Sequence, residues 1–280
     1  MKVEAFAPAK INLTLHVTGQ REDGYHLLDS LVVFADVGDI ITAEMADTLR
    51  LRVIGPKSEG VPEDNSNLVL KAAALFDCSK GASITLEKHL PTASGIGGGS
   101  SDAAACLRAL SALWGVQLPD HDRLLALGAD VPVCMTLTSQ RMAGIGEDLS
   151  DVDGLPEFDI LLVNPGVEVA TPAIFKALQS RHNPPMPTPL PRFEDAAALA
   201  AWLKTQRNDL QPAAITLEPS ISDVIAAVTE AGSLFAGMSG SGATCFGVFP
   251  PDGVSAKRAL EQIRAAHPNW WSAAGKRLYN

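Results

Sequence analysis

Residues 91–101 read P-T-A-S-G-I-G-G-G-S-S, with Gly95, Gly97, Gly98 and Gly99 inside five positions, and run directly into D-A-A-A-C-L-R-A-L-S-A-L-W. Glycine admits positive φ and lets backbone N–H groups come close to a ligand. A helix start adds unpaired N–H donors and the positive end of the helix dipole. A flexible loop that feeds a helix start is therefore an anion site, with phosphate its usual guest. A glycine-rich hairpin or linker is the plainer alternative. Linkers, however, seldom run at once into a helix this strong: Cys106, Leu107, Leu110, Leu113 and Trp114 make one apolar stripe, and Gly115 closes it. A strand over 82–90, the loop, and a helix over 101–114 form a unit suited to the phosphates of a nucleotide.

Three other glycine-rich phosphate motifs fail on their own terms. The P-loop needs Lys and Ser or Thr after its last glycine, and Ser100-Ser101 stands there instead. The dinucleotide fingerprint lacks its third glycine, because Ser100 follows Gly99. No H-R-D or D-F-G segment supports a protein kinase. Charge narrows the ligand further. With 22 Lys and Arg against 32 Asp and Glu, the chain carries a net charge of −10 and has no general attraction for nucleic acid. Phosphates must then be held by local donors. With 46% apolar residues in 280, the chain has material for a core and for two modest domains. The four cysteines, Cys78, Cys106, Cys134 and Cys245, show no C-x-x-C spacing and sit in apolar contexts, as buried reduced thiols do. Neither a secretory leader nor an apolar run of membrane-spanning length is evident, so the expectation is a soluble, cytoplasmic protein.

Along the chain, residues 3–17 alternate as a strand. Ile11, Leu13, Leu15 and Val17 share one face, while Lys10, Asn12, Thr14 and His16 share the other. The polar face of such a strand ordinarily meets water; in the sharper reading, Lys10 and Asn12 donate side by side to an anionic or hydroxylated ligand. Tyr25 and His26 follow a charged turn at a strand mouth, either as a structural pair or as a base-stacking ring beside an imidazole. The next stretch reads as a strand broken near 37–39. Further strands are expected at 49–54, 133–137, 142–147 and 159–163. Ser66-Asn67 can cap a helix over 68–76. A helix over 120–127 ends at Gly128, leaving Asp130 on a short connector before Pro132, as either a turn aspartate or a positioned carboxylate. A polar stretch at 149–157 marks a domain boundary. Helices are expected from Thr171-Pro172 to 178 and over 195–204, 212–217, 220–231 and 255–266. Five prolines make 182–191 a surface excursion, and 236–249 is a second glycine-serine turn leading into a strand.

The pattern P-x-x-x-G-x-G-G-G-S-S-D-A-A resembles the ATP loop of the GHMP kinase superfamily. P-A-K-I-N-L-T-L-H-V at 8–17, R-E-D-G-Y-H-L-L-D-S-L at 21–31, G-A-D-V-P at 128–132, N-D-L-Q-P at 208–212 and M-S-G-S-G-A-T at 238–244 are similar, in order, to the branch that acts on 4-diphosphocytidyl-2-C-methyl-D-erythritol. The resemblance spans the chain. It implies a two-domain α+β fold, residues 1–155 being like the second domain of ribosomal protein S5 and residues 156–280 ferredoxin-like. It further implies transfer of the γ-phosphoryl of ATP, with Mg²⁺, to the 2-hydroxyl of that substrate, a step of the non-mevalonate route to isoprenoid precursors. Asp130 matches the catalytic carboxylate and Lys10 its partner. Pro91, Thr92, Ala93, Ser94, Gly95, Ile96, Gly97, Gly98, Gly99, Ser100 and Ser101 match the ATP loop, and Asn67 falls near the adenine pocket. Tyr25 and Phe175 match the rings on either face of the cytosine, His26 reads its edge, Asn12 contacts the substrate, and Thr171 lies near the same pocket. No metal ligand is assigned. Ser94 stands where glycine is common, and Ile96 where leucine is. The alternatives are another GHMP small-molecule kinase, of homoserine or mevalonate type, or a homologue that binds nucleotide without turnover. Neither of those substrates needs a cytidine pocket, and a non-catalytic homologue has no need of both Lys10 and Asp130.

Overall fold

The chain divides into two compact units that are interleaved along the sequence rather than consecutive. Unit 1 comprises Met1–Ala9, Gly38–Thr92 and Gly97–Leu137, and unit 2 comprises Lys10–Val37, Ala93–Ile96 and Thr138–Asn280. The structure is a computed structural model and describes residues 1–76 and 80–278. Cys78 lies outside the described residues; Cys106, Cys134 and Cys245 are buried and in no disulfide, as expected. Burial pushes the thiols of Cys106 and Cys245 well up, so they are inert.

The strands are β1 (Lys2–Asn12), β2 (His16–Gln20), β3 (His26–Ala46), β4 (Arg50–Ile54), β5 (Gly81–Glu87), β6 (Gln140–Gly144), β7 (Asp148–Asp151), β8 (Asp159–Asn164), β9 (Phe235–Met238), β10 (Cys245–Phe249) and β11 (Trp271–Lys276). The helices are α1 (Leu68–Ala73), α2 (Gly98–Trp114), α3 (His121–Leu127), α4 (Val131–Thr136), α5 (Thr171–Lys176), α6 (Ala196–Leu203), α7 (Gln211–Leu217), α8 (Ser220–Glu230) and α9 (Ser255–Ala266). Among the described residues no helix is long and apolar enough to cross a membrane.

In unit 1 the second half of β3 pairs antiparallel with β5, and β4 lies parallel to β5. The core beneath is built from Ile41, Ala43, Val69, Ile84, Leu86, Leu107 and Leu110. The stripe read from the sequence does pack inward, with Cys106, Leu107, Leu110, Leu113 and Trp114 all buried. β3 is not broken at 37–39. A Cβ on Gly38 would stand 2.3 Å from Ala7 O, so this glycine admits the neighbouring backbone rather than ending the strand. Residues 133–137, expected as a strand, fall in and just after the helix α4, Val131–Thr136. Their short apolar run fits either period, and Pro132 in the first turn marks a helix start.

Under α2 lies a buried ionic cluster. Lys88 Nζ donates to Asp39 Oδ2, and to Asp102 Oδ2 at 2.7 Å. Asp39 Oδ1 also accepts from Leu90 N at 2.8 Å. The first turn of α2 runs over this lysine, since a Cβ on Gly98 would meet Nζ at 3.2 Å. Two carboxylates share one ammonium. Burial pushes the Asp102 carboxyl up to about 8; the Lys88 charge opposes the rise and the Asp39 charge adds to it. A carboxyl raised in the folded state contributes its full stabilisation below its unfolded value of 3.8 and loses it as pH climbs through about 8. Asp102→Asn, which cannot ionise, is therefore expected to gain Tm relative to the parent as pH rises from 4 to 8. Melting curves whose separation does not change with pH would show that Asp102 carries no such proton.

Unit 2 contains a four-stranded antiparallel sheet in the order β11-β8-β10-β9. With α8 before β9 and α9 before β11, the path β8-α8-β9-β10-α9-β11 is the ferredoxin-like one. Its core includes Leu161, Val163, Val224, Val228 and Ile263. β2 and β6 pair with the first half of β3, and β7 pairs with β6. β7 thus occupies part of the polar stretch read as a boundary, and β11 had no expected counterpart.

Candidate active site

The polar face of 10–16 does not meet water. Lys10, Asn12, Thr14 and His16 are all buried, as are Ile11, Leu13, Leu15 and Val17. The predicted single strand stops at Asn12 and resumes at His16. In the gap Leu15 bridges to Asn208, with Leu15 N donating to Arg207 O at 2.9 Å and Asp209 N to Leu15 O at 2.8 Å. Both faces are covered, so alternation alone misassigned one of them to solvent.

This buried strand ties three of the sequence motifs together inside unit 2. Lys10 Nζ donates to Asn12 Oδ1 at 3.0 Å, and Lys10 N to Ile96 O at 3.0 Å. Asn12 N donates to Ser239 Oγ at 3.1 Å, and Ser239 Oγ donates onward to Gly95 O at 3.0 Å. Thr244 N reaches Ser94 O at 3.0 Å. The glycine loop is thereby pinned against the M-S-G-S-G turn. Gly95 has φ +75°, and a Cβ there would fall 2.5 Å from Ser239 O. Ser239 had no role in the sequence reading, although its motif had been singled out.

In unit 1 the loop continues into α2, whose first turn presents the N–H groups of Gly98, Gly99 and Ser100. Ser101 is fully buried, and its Oγ has no hydrogen-bond partner among the described residues. The Asp130 connector lies beside this turn: a Cβ on Gly128 would stand 3.9 Å from Ser100 Oγ. Asp130 occupies the cap position of α4 with helical φ and ψ of −87° and −6°, and its side chain does not cap the helix. Asn67 does cap α1, as expected. Its Oδ1 accepts from Val69 N at 2.9 Å, and its Nδ2 donates to Pro62 O at 2.7 Å. That geometry shows a helix cap, and the adenine role rests on motif position.

The expected base site is also in unit 2. The His26 ring stacks on Phe175 with centroids 4.6 Å apart and planes 25° from parallel. His26 Nε2 is buried without a hydrogen-bond partner among the described residues. Burial, then the Arg181 charge, lowers the pKa of His26 below the ordinary histidine value, so the ring is neutral near pH 7. Tyr25 is 60% exposed beside it. Thr171 opens α5, and its Oγ1 lies 2.8 Å from Ser241 Oγ.

Residues 67–140 match the GHMP kinases N terminal domain, and residues 186–269 match the GHMP kinases C terminal domain. The chain is 57% identical over 279 residues to the 4-diphosphocytidyl-2-C-methyl-D-erythritol kinase of Ruegeria pomeroyi, covering 99% of this chain and 100% of that one. This chain belongs to the GHMP kinase family. The kinase of the same name from Paramagnetospirillum magneticum is 50% identical over 97% of each chain. A solved 4-(cytidine 5'-diphospho)-2C-methyl-D-erythritol kinase superimposes with a TM-score of 0.81 at 33% identity, over 99% of this chain and 100% of that one. A mevalonate kinase at 11% identity and TM-score 0.66, covering all of both chains, shares the fold. As a GHMP kinase the chain uses ATP as co-substrate. No group of three or more His, Cys, Asp or Glu side chains that could hold a metal stands among the described residues. Magnesium in nucleotide enzymes needs only one or two protein oxygens, with phosphates and water supplying the rest.

Proposed function

We infer that this GHMP kinase transfers the γ-phosphoryl of ATP to the 2-hydroxyl of 4-diphosphocytidyl-2-C-methyl-D-erythritol, in the non-mevalonate route to isoprenoid precursors. The observation that carries the choice of substrate is the neutral His26 ring stacked on Phe175, with a buried nitrogen lacking a partner among the described residues and Tyr25 exposed alongside. A flat platform with one hydrogen-bonding edge suits a nucleobase. Neither homoserine nor mevalonate offers a ring to fill it. The near-full-length similarity to kinases of that name supports the same reading.

In this mechanism the N–H groups opening α2 and the hydroxyl of Ser100 receive the ATP phosphates. Mg²⁺ bound with ATP would offset the charge on the phosphates. Asp130 accepts the proton of the attacking hydroxyl. Asn12, with its amide oriented by neighbours on both sides, positions the substrate alcohol, and Lys10 supplies positive charge beside it. The pairing of Lys10 with Asp130 rests on the motif match. Phosphoryl transfer depends mainly on such positioning and charge neutralisation. The two family halves divide at 155/156, and a cytoplasmic setting belongs to the same reading. With ATP and Mg²⁺, purified protein should phosphorylate the cytidine-linked alcohol and leave homoserine and mevalonate unchanged. Well-folded protein that turns over homoserine or mevalonate instead would overturn the substrate assignment.

A further inference from the structure

The proline-rich segment, read from the sequence as a surface excursion, is tied down. Met186 is only 2% exposed. Its N donates to Asp29 Oδ2 at 2.7 Å, and its O accepts from Arg141 Nη2 at 3.1 Å. Arg141 grips Asp29 in a bidentate pair, Nε to Oδ1 and Nη2 to Oδ2, each at 2.7 Å. It also donates to Pro187 O at 3.2 Å and Thr188 Oγ1 at 2.8 Å. At the other end of the segment, Pro184 O meets His16 Nδ1 at 3.1 Å.

This strap covers the gap between β1 and β2, where side chains add to the backbone bond from Leu13 N to Leu31 O at 2.8 Å. Leu31 N donates to Thr14 Oγ1 at 3.0 Å, and Thr14 Oγ1 donates to Met186 Sδ at 3.0 Å. Ser30 Oγ donates to Thr14 O at 2.6 Å and accepts from Asn12 Nδ2 at 2.7 Å. That fixes which end of the Asn12 amide faces Lys10, because its Oδ1 is left to accept from Nζ. Thr14 joins the strap to this series through two groups, its hydroxyl meeting Met186 and its carbonyl accepting from Ser30, so the placement of Thr14 bears on that of Ser30 and the Asn12 amide.

We propose that residues 183–188, clamped by Asp29 and Arg141, are a positioning element for Lys10, acting through Thr14, Ser30 and Asn12. The inference rests on the reading of Lys10 and Asn12 as active-site residues. Loosening the clamp lets the Asn12 amide and the Lys10 ammonium wander from the reacting hydroxyl while the ATP loop stays in place. A misplacement of about 1 Å at a reacting centre costs up to roughly 100-fold in rate.

The test uses the full chain with Asp29→Asn, Met186→Leu, Lys10→Met and the combination of Asp29→Asn with Lys10→Met. Asp29→Asn breaks the charged clamp. Met186→Leu keeps volume and the clamp but removes the acceptor of Thr14, and it carries the test if Asp29→Asn does not fold. The expected result is a kcat lower by roughly 10- to 100-fold for Asp29→Asn, with the KM for ATP changed by no more than about twofold. That loss should vanish in the Lys10→Met background, because residues acting as a unit are non-additive. Equal losses in both backgrounds would mark the clamp as merely structural and overturn the proposal. Native kcat in folded Asp29→Asn and Met186→Leu, with a strongly lowered but measurable kcat for Lys10→Met, would overturn it while leaving the Lys10 reading intact. Near-native kcat for Lys10→Met would remove that reading and the inference with it.

Discussion

Asp130→Asn should fold like the parent protein and lose about 10²- to 10⁴-fold in kcat, the usual worth of a positioned general base. Folding is spared because the connector is held by its backbone. Val131 N bonds to Gly128 O at 2.9 Å, and Cys134 N to Asp130 O at 3.3 Å. The Asp130 side chain makes no cap bond to α4, so an amide of the same shape removes no cap. What it does remove is the capacity to take a proton. The KM for the cytidine-linked substrate should change little, because the base platform lies at other residues. Steady-state kinetics alongside a melting curve separates the two effects. Near-native kcat in a folded variant would take Asp130 out of its role.

Gly95→Ala should strike the ATP end of the reaction almost as hard. At φ +75° an L side chain is strained, and the added Cβ would lie 2.5 Å from Ser239 O, 2.6 Å from Gly242 N and 2.7 Å from Gly242 O. All three are backbone atoms, so no rotamer change relieves the clash. Strain of this kind costs about 1–3 kcal/mol. Relieved by displacing the loop, it would weaken ATP binding roughly 10- to 100-fold. Because Ser239 Oγ bonds both Gly95 O and Asn12 N, the displacement should also reach the Asn12 end and lower kcat. Titration of ATP against the variant, followed by calorimetry, measures the first effect. Unaltered ATP affinity would mean that the loop conformation seen here is not the one that holds the phosphates.

Some of this architecture can be read directly from residues. The stripe from Cys106 to Trp114, the Asn67 cap and the Gly128 stop are local signals, and local physics decides them. The ferredoxin-like half followed from resemblance, and its sheet order bears that out. Other features depend on partners distant in sequence. Lys10, Asn12, Thr14 and His16 alternate like a solvated face, and only Met186, Ser30 and Pro184, far along the chain, reveal that the face is covered. Gly38 looks like a strand break until Ala7 is seen against it. The 133–137 run is too short for its period to separate helix from strand. Within the candidate site, glycines and motif residues stood out by composition, whereas Ser239, Ser30 and Arg141 are ordinary residues whose importance lies in what they touch.

The interleaving of the two units has a consequence for how the chain is made. Unit 1 is complete once residue 137 has emerged from the ribosome, but Lys10–Val37 belong to unit 2. Most of their partners are synthesised roughly a hundred residues later, a delay of about 5–20 s at ordinary translation rates. Throughout that interval a segment rich in Val and Leu, bearing the lysine proposed for the active site, stands in solvent without its neighbours. The nascent chain is therefore most exposed to mispairing at the segment that carries the proposed catalytic lysine. Slow synthesis or a shortage of chaperones should show first as protein that has unit 1 intact and no activity.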